Sequence, residues 1–485
     1  HPRGWLLASS AEDDHEEASP RLKASIKSLL ATVQVKESSK EKKSVRNVTS
    51  PAVVKGIKYA VSKPTKKEFE FITNPFGYLG KFCSWVNENS MRSQPILTLG
   101  GTLAFFGALF GRKVKDELDT RTNIYCMGVG RSSAGKQHVQ SCIRKVVSKV
   151  GCKQLLGACD FASDIAIENT IYRKKSVVFL LDEIGHILMH LKSRPTSCTE
   201  KIISTLMRIW SSAKDSYIPK AYADDDNEVE VIQPCLSIYG TSTPSRFIEG
   251  MSTAELDDGW LSRCLVFHTS TFPFKSRVRK DRIPPGDICD FVSAWANRVI
   301  EPEDKYTVES WQKHTGNECV AADPLQIEIK TTHEAEEILR NFDLISRNIG
   351  EESPSLACLW SKAEENARKF ALIKAASVDY DNPMIDAAIA DYGCQLASYL
   401  LRDFGYNMAG QLSSNPYEEK KNRIWDSIRK RGAAGCSKKQ LAISSGWSSK
   451  KERVDLLEDL RESGRIVTKL VDGEETHWVS EYRLE

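Results

Sequence analysis

NIYCMGVGRSSAGKQH, residues 123–138, decides the fold. A short apolar run turns through glycines into KQHVQSCIRKVVSKV, whose apolar residues recur at helical spacing, so a strand should lead into an amphipathic helix. Gly130, four residues, Gly135 and Lys136 have the spacing of a phosphate-binding loop. A glycine-rich turn between strand and helix aims backbone N–H groups at a phosphate, and the helix dipole adds positive potential there. The expected cradle is Gly130, Arg131, Ser132, Ser133, Ala134, Gly135, Lys136 and Gln137, with Lys136 reaching the terminal phosphates of ATP. The position after the lysine usually carries Ser or Thr, whose hydroxyl holds Mg2+. Here it is Gln137. An amide oxygen can also hold Mg2+, from a longer side chain and at a different geometry. Nucleotide binding should survive this departure, and hydrolysis should be slower.

Outward from the loop, strands and helices alternate. SVVFLLDE (176–183) is a continuous apolar run ending in two acids, as expected for a strand buried on both faces. VIQPCLSIYGTSTP (231–244) reads as another buried strand, ending in small hydroxyl residues. The alternation predicts an α/β fold around a parallel sheet. In a nucleotide-hydrolysing site, Asp182 would orient Mg2+ with Gln137, and Glu183 would polarise the attacking water. The alternative is that both acids cap the next helix, IGHILMHL. Thr243 or Ser242, at the strand tip, would hold the γ-phosphate or the water; standing alone, they would be a hydroxyl-rich turn before Pro244. Arg263, in DGWLSRCLVF, would neutralise charge on the transferring phosphate of a neighbouring subunit, or else serve an ordinary ion pair.

The rest of the chain divides by composition. Residues 1–66 combine AEDDHEE with KESSKEKKSVRN and hold little to bury, so they read as a tail or linker, partly disordered. Residues 67–120 are helical, and their most apolar stretch, 96–111, is shorter than the roughly 20 residues of a bilayer crossing. Residues 121–330 hold the alternating core and 331–410 a helical segment. There Lys362 or Arg368 would act as a second phosphate sensor, or both would lie on a solvated helix face. Thirteen cysteines with no CxxC pair argue against zinc ribbons and suit reduced thiols in a cytoplasm. A net charge of +3 in 485 residues means that any nucleic-acid binding must come from local patches.

Two such patches stand out. Before the third strand, SYIPKAY and EVEVIQP alternate around ADDDNE, as in a hairpin. Lys214, Lys220 and Tyr222 would grip single-stranded DNA there, although the acidic tip would repel phosphate; an ordinary surface hairpin is the alternative. Residues 420–485 read as three helices and an Asp-Gly hairpin, a winged helix-turn-helix arrangement. Lys450, Lys451 and Arg453 would contact DNA phosphates, with Lys438 and Lys439 nearby. The third helix also carries Asp455, Glu458, Asp459 and Glu462, so a protein contact is the competing reading.

Taken in order, these pieces resemble the AAA+ ATPase module. More closely, residues from about 75 to 405 resemble the helicase-type domain of phage and plasmid primase-helicase proteins, through ALFGRKV, NIYCMGVGRSSAGK, VVFLLDE, QPCLSIYGTSTPSRF, DGWLSR and LWSKAEENARKFALIKAA. The resemblance implies a P-loop AAA+ core over 121–330 with a helical lid over 331–410. It also implies ATP and Mg2+ as cofactors, Lys136 on the phosphates, Asp182 and Glu183 as the acidic pair, Thr243 near the sensor position, Arg263 as a finger in trans, and a homo-oligomeric ring, a hexamer, around DNA. The expected activity is an ATP-dependent DNA helicase or translocase in replication of a phage or mobile element, in the host cytoplasm. The start at His1 suits a fragment that lacks an upstream primase domain. The alternatives are an ATP-switched origin-binding initiator that does not unwind DNA, and a structural DNA-binding protein with a relic loop.

Overall fold

The computed structural model describes residues 60, 62–185, 187–188, 197–218, 230–250, 259–276, 283–298, 324–352, 354–408, 416–446, 448–462, 464–471 and 473–480. Helix α1 (Lys66–Thr73) starts at a capping box in which Thr65 and Glu68 satisfy each other's end of the first turn. After a break at Pro75, helix α2 (Gly77–Glu88) leads to α3 (Pro95–Phe110), which has Pro95 in its first turn. Helix α3 is apolar all round because it is buried all round, between α2 and the main sheet. Its Phe105, Phe106 and Phe110 pack as tilted and edge-on pairs, and full burial of such a ring is worth about 1.5–3 kcal/mol. Gly107 permits the close approach: a Cβ there would lie 2.5 Å from the Thr122 carbonyl oxygen.

The short strand β1 (Val114–Asp116) precedes β2 (Tyr125–Gly130), the strand before the glycine-rich loop. Helix α4 (His138–Val150) follows the loop and ends at the left-handed Gly151. Helix α5 (Asp164–Lys174), capped by Ser163, leads into β3 (Ser176–Leu181), which is wholly buried as its apolar run predicts. Helix α6 (Ser197–Ser211) is followed by β4 (Ser216–Tyr217) and β5 (Val231–Ile232), antiparallel to each other, which form the base of the hairpin expected before the third strand. The single strand predicted over 231–244 is therefore two. Gln233 takes a left-handed φ of 49° and Pro234 offers no N–H, so the ladder breaks before β6 (Cys235–Ser242). Helices α7 (Pro244–Gly250) and α8 (Trp260–Arg263) precede β7 (Cys264–Thr269).

Among the described residues the main sheet has the order β3-β6-β2-β7 and every pairing is parallel. The chain is thus mixed α/β with a parallel central sheet. All four strands end at one edge, where ligands of open parallel sheets collect. Gly130 is level with Thr269, Val129 with Ser242, and Leu181 with Gly240. The strand bearing the acids is not adjacent to the loop strand; β6 lies between them.

Helix α9 (Gly286–Ala296) packs on α3 and α4. Strand β8 (Ile327–Thr331) joins β1 in a small parallel sheet, and α10 (His333–Glu352) and α11 (Pro354–Trp360) follow. Helix α12 (Ala363–Val378), strand β9 (Met384–Ile385) on the far side of β8, and α13 (Ala387–Asn407), capped by Asp386, complete the first body. Its apolar residues form one continuous cluster from α1 to α13. A second, separate cluster holds α14 (Pro416–Arg429), β10 (Cys436–Ser437), α15 (Lys438–Ser444), α16 (Lys450–Glu462), β11 (Ile466–Val471) and β12 (Glu474–Val479). The second and third helices and the hairpin lie where the sequence predicts them; the first, α14, already starts at Pro416, ahead of the expected boundary at 420. Strand β10, too short to read from sequence, adds a third antiparallel strand in the order β10-β12-β11.

Candidate phosphate-binding site

The glycine-rich loop sits between the buried end of β2 and the start of α4. Ser133 (φ 61°) and Gly135 (φ 91°) are both left-handed, and such residues turn successive N–H groups toward a common point. Gly135 is required twice over, because a Cβ there would also meet the Arg92 carbonyl oxygen at 2.9 Å. Arg131, Ser132 and Ser133 are exposed, whereas Ala134 and Lys136 are buried. Lys136 is 7% exposed; its Nζ donates no hydrogen bond and lies 3.9 Å from Glu183 Oε1. Burial lowers its pKa, against the weaker opposing pull of Glu183 and Asp182. A buried cation inside a turn of amides is the environment an anion would complete.

Asp182 and Glu183 follow β3 directly. Glu183 is left-handed at φ 49°, an uncommon conformation for a residue with a Cβ, and one that collects at functional sites. Asp182 Oδ1 accepts a 2.9 Å hydrogen bond from the Thr241 hydroxyl, and Asp182 Oδ2 accepts one from Gln137 Nε2. Gln140, buried on α4, donates to the Leu181 carbonyl at 2.9 Å and ties the loop helix to the end of the acid strand. Three elements therefore converge on one carboxylate. Turning the Gln137 amide about its last bond would put its oxygen beside Asp182, and the two oxygens suit a hard cation such as Mg2+. Among the described residues no cluster of three or more His, Cys, Asp or Glu could hold a metal by itself. A cation here would need phosphate oxygens as further ligands.

Thr243 lies one residue beyond β6 and starts α7: its carbonyl accepts from the Ser242 hydroxyl at 3.2 Å and from Phe247 N–H at 2.9 Å. Thr241, within β6, is the one that reaches the acid. Within GTSTP no sequence signal separates it from its neighbours; the placement of Asp182 does.

Arg263 sits at the opposite edge of the sheet. It ends α8 immediately before β7, whose first residue pairs with Tyr125, the first of β2. Six strand residues, about 20 Å at ~3.3 Å each, separate that level from the loop. Its guanidinium donates to the Gly259 carbonyl at 2.7 Å and lies 5.1 Å from the centre of the Trp210 ring. The base of the hairpin occupies this same edge, with Lys214 exposed beside it; Lys220 and Tyr222 lie outside the described residues.

Arg368 is neither solvated nor near the loop: it is buried among Glu336 (2.7 and 2.9 Å), Glu364 and Asp116. The neighbouring Lys369 binds Asn123 Oδ1 at 2.6 Å, which places the start of α12 at the beginning of β2, away from the loop. Lys362 pairs with Glu365 at 2.9 Å at that same edge, 5.3 Å from the centre of the Trp210 ring. In the C-terminal module Lys450 and Lys451 are exposed, but Arg453 donates to the carbonyls of Ser445 (3.1 Å) and Ser448 and so holds the turn between α15 and α16. No protein-family model matches this chain, and no curated protein is significantly similar to it. Among the described residues no helix is long and apolar enough to cross a membrane.

Proposed function

We propose that the protein is a DNA-dependent AAA+ ATPase that works as a homo-oligomeric ring, a helicase or translocase for replication of a phage or mobile element. One observation carries the reading. The glycine-rich loop with its unsatisfied buried Lys136, Asp182 with the left-handed Glu183, and the Thr241 hydroxyl meet at one sheet edge, with β6 interposed between the loop strand and the acid strand. Separate motifs that match a loop by chance have no reason to converge.

In this reading the loop amides and Lys136 bind the phosphates of ATP. Mg2+, held by Asp182 and Gln137, would offset phosphate charge. Glu183 orients and polarises the attacking water, with a hydroxyl from Thr241 or Thr243 nearby. Arg263 is too far to serve the loop of its own chain, so its part in hydrolysis requires a neighbour's site, which is what a ring provides. DNA would be gripped in the ring by the hairpin with Lys214, Lys220 and Tyr222, and at the C-terminal winged helix by Lys450 and Lys451. Arg453 would support that module rather than touch DNA. A primase domain or protein is the natural partner of such a motor.

The Gln137–Asp182 hydrogen bond favours one second reading: an ATP-switched initiator that assembles on DNA and does not unwind it. Strand displacement on a forked duplex, with ATP and with a non-hydrolysable analogue, separates the two. Unwinding with ATP alone supports the motor. Assembly on DNA with either nucleotide and no unwinding would favour the switch.

A further inference from the structure

The phosphate strand β2 has different chemistry on its two sides. On the β6 side stand the acids and hydroxyls suited to a terminal phosphate and its cation. A nucleoside triphosphate oriented this way would have the β7 side open to its nucleoside. There the chain beyond β7 runs along the loop between α2 and α3: Gln94 Nε2 donates to the Thr271 carbonyl at 3.0 Å, Arg92 to the Pro273 carbonyl, and Ser276 N–H to the Met91 carbonyl at 2.8 Å. Arg92 is the residue whose carbonyl abuts the loop glycine Gly135. Its guanidinium is stacked 4.3 Å from the centre of the Phe272 ring. Phe272 is 47% exposed and Phe274 fully exposed. Scattered surface apolar side chains need no explanation. Two exposed aromatic side chains thus lie within three residues, one of them braced by an arginine whose carbonyl abuts the phosphate loop, and both are open to a planar ligand.

We infer that the Arg92–Phe272 stack and Phe274 form the nucleobase platform of this site, holding the base by stacking while the loop holds the phosphates. The inference rests on the nucleotide-binding reading above. The polar groups beside the platform are turned inward: Thr269 and Thr271 hydroxyls both donate to Gln94 Oε1, at 3.0 and 3.2 Å. The described part of the platform therefore offers rings rather than edge-reading side chains.

The test is calorimetric binding of ATP and of inorganic tripolyphosphate to the full chain and to Phe272→Ala, Phe274→Ala and Lys136→Ala. Tripolyphosphate carries the phosphate contacts without a base. Phe272→Ala and Phe274→Ala should each weaken ATP by about ten-fold, the usual loss when a base-stacking ring is truncated, and leave tripolyphosphate unchanged. Phe274 buries nothing, so its replacement does not threaten the fold. Unchanged ATP affinity in both aromatic variants would overturn the platform, as would an equal loss of both ligands or a changed oligomeric state with binding intact. Lys136→Ala should lose both ligands. A wild-type protein that binds neither would instead refute the phosphate site itself, and the platform with it.

Discussion

Lys136→Met should make the nucleotide-free protein more stable while abolishing its nucleotide binding. In the free protein the ammonium is 7% exposed and its Nζ donates no hydrogen bond. Leaving a buried donor unsatisfied costs about 1–3 kcal/mol. The offset is the Glu183 carboxylate at 3.9 Å, but that side chain is 41% exposed, and pairs so open to water are worth less than about 1 kcal/mol. Desolvation wins, in keeping with the lowered pKa of Lys136, whose first cause is burial. Methionine keeps much of the stem's volume without the charge, so the gain should be about 1–2 kcal/mol, roughly 1–3 °C in Tm for a body of this size. The sign with pH follows. The unfolded lysine binds its proton more tightly than the folded one, so the wild-type penalty is full below the folded pKa and fades as pH rises from there toward 10.5, and the variant's advantage fades with it. Thermal unfolding with and without saturating ATP is the assay. Wild type should gain about 2.7 kcal/mol from ligand at a hundred times Kd, and the variant nothing. A variant that is less stable without nucleotide, or that binds ATP as wild type does, would refute the reasoning.

Gln137→Thr removes the amide that occupies Asp182 and restores a short hydroxyl, so hydrolysis should rise several-fold at low Mg2+, read from a Mg2+ titration of turnover. Arg263→Ala should keep ATP affinity and lose about a thousand-fold in turnover. Mixing it with Lys136→Ala subunits should recover part of the activity, because each supplies what the other lacks; no recovery would argue against action between subunits. Lys374 is buried between the rings of Phe76 and Tyr392, and burial lowers its pKa to about 7, against the pull of Asp386 and Asp391. A base with a lowered folded pKa makes stability rise with pH from about 7 to the free value of 10.5. Buried Lys369 and Lys113, each near 8, add to the same rise. Lys374→Met should therefore gain most on the wild type at pH 7 and lose that gain by pH 10, so the Tm difference between the two narrows as pH rises.

What could be read from sequence follows from local physics. The runs YCMGVG, SVVFLL and CLSIYG announce buried strands because a parallel strand is apolar on both faces, and Gly135 announces the loop because its left-handed turn favours glycine. The C-terminal helices and hairpin announce themselves through caps and an Asp-Gly turn. What was hidden depends on packing between distant segments. Nothing in SMRSQP marks Arg92 as the residue beneath the phosphate loop, because the contact is made across more than forty residues. Arg368 has the spacing of an exposed helix residue, but Glu336 and Asp116 arrive from other elements and bury it. Thr241 lies in a stretch that sequence singled out, and only the placement of Asp182 shows that it is the hydroxyl that matters to the acid.

The central claim is that these groups hydrolyse ATP in response to DNA. Steady-state ATP hydrolysis, with and without single-stranded DNA, on wild type and on Glu183→Gln, tests it most directly. Turnover should be strongly stimulated by DNA and abolished in Glu183→Gln, with ATP still bound. Tight ATP binding with negligible turnover, with or without DNA, would contradict the motor and leave Gln137 as the mark of a switch.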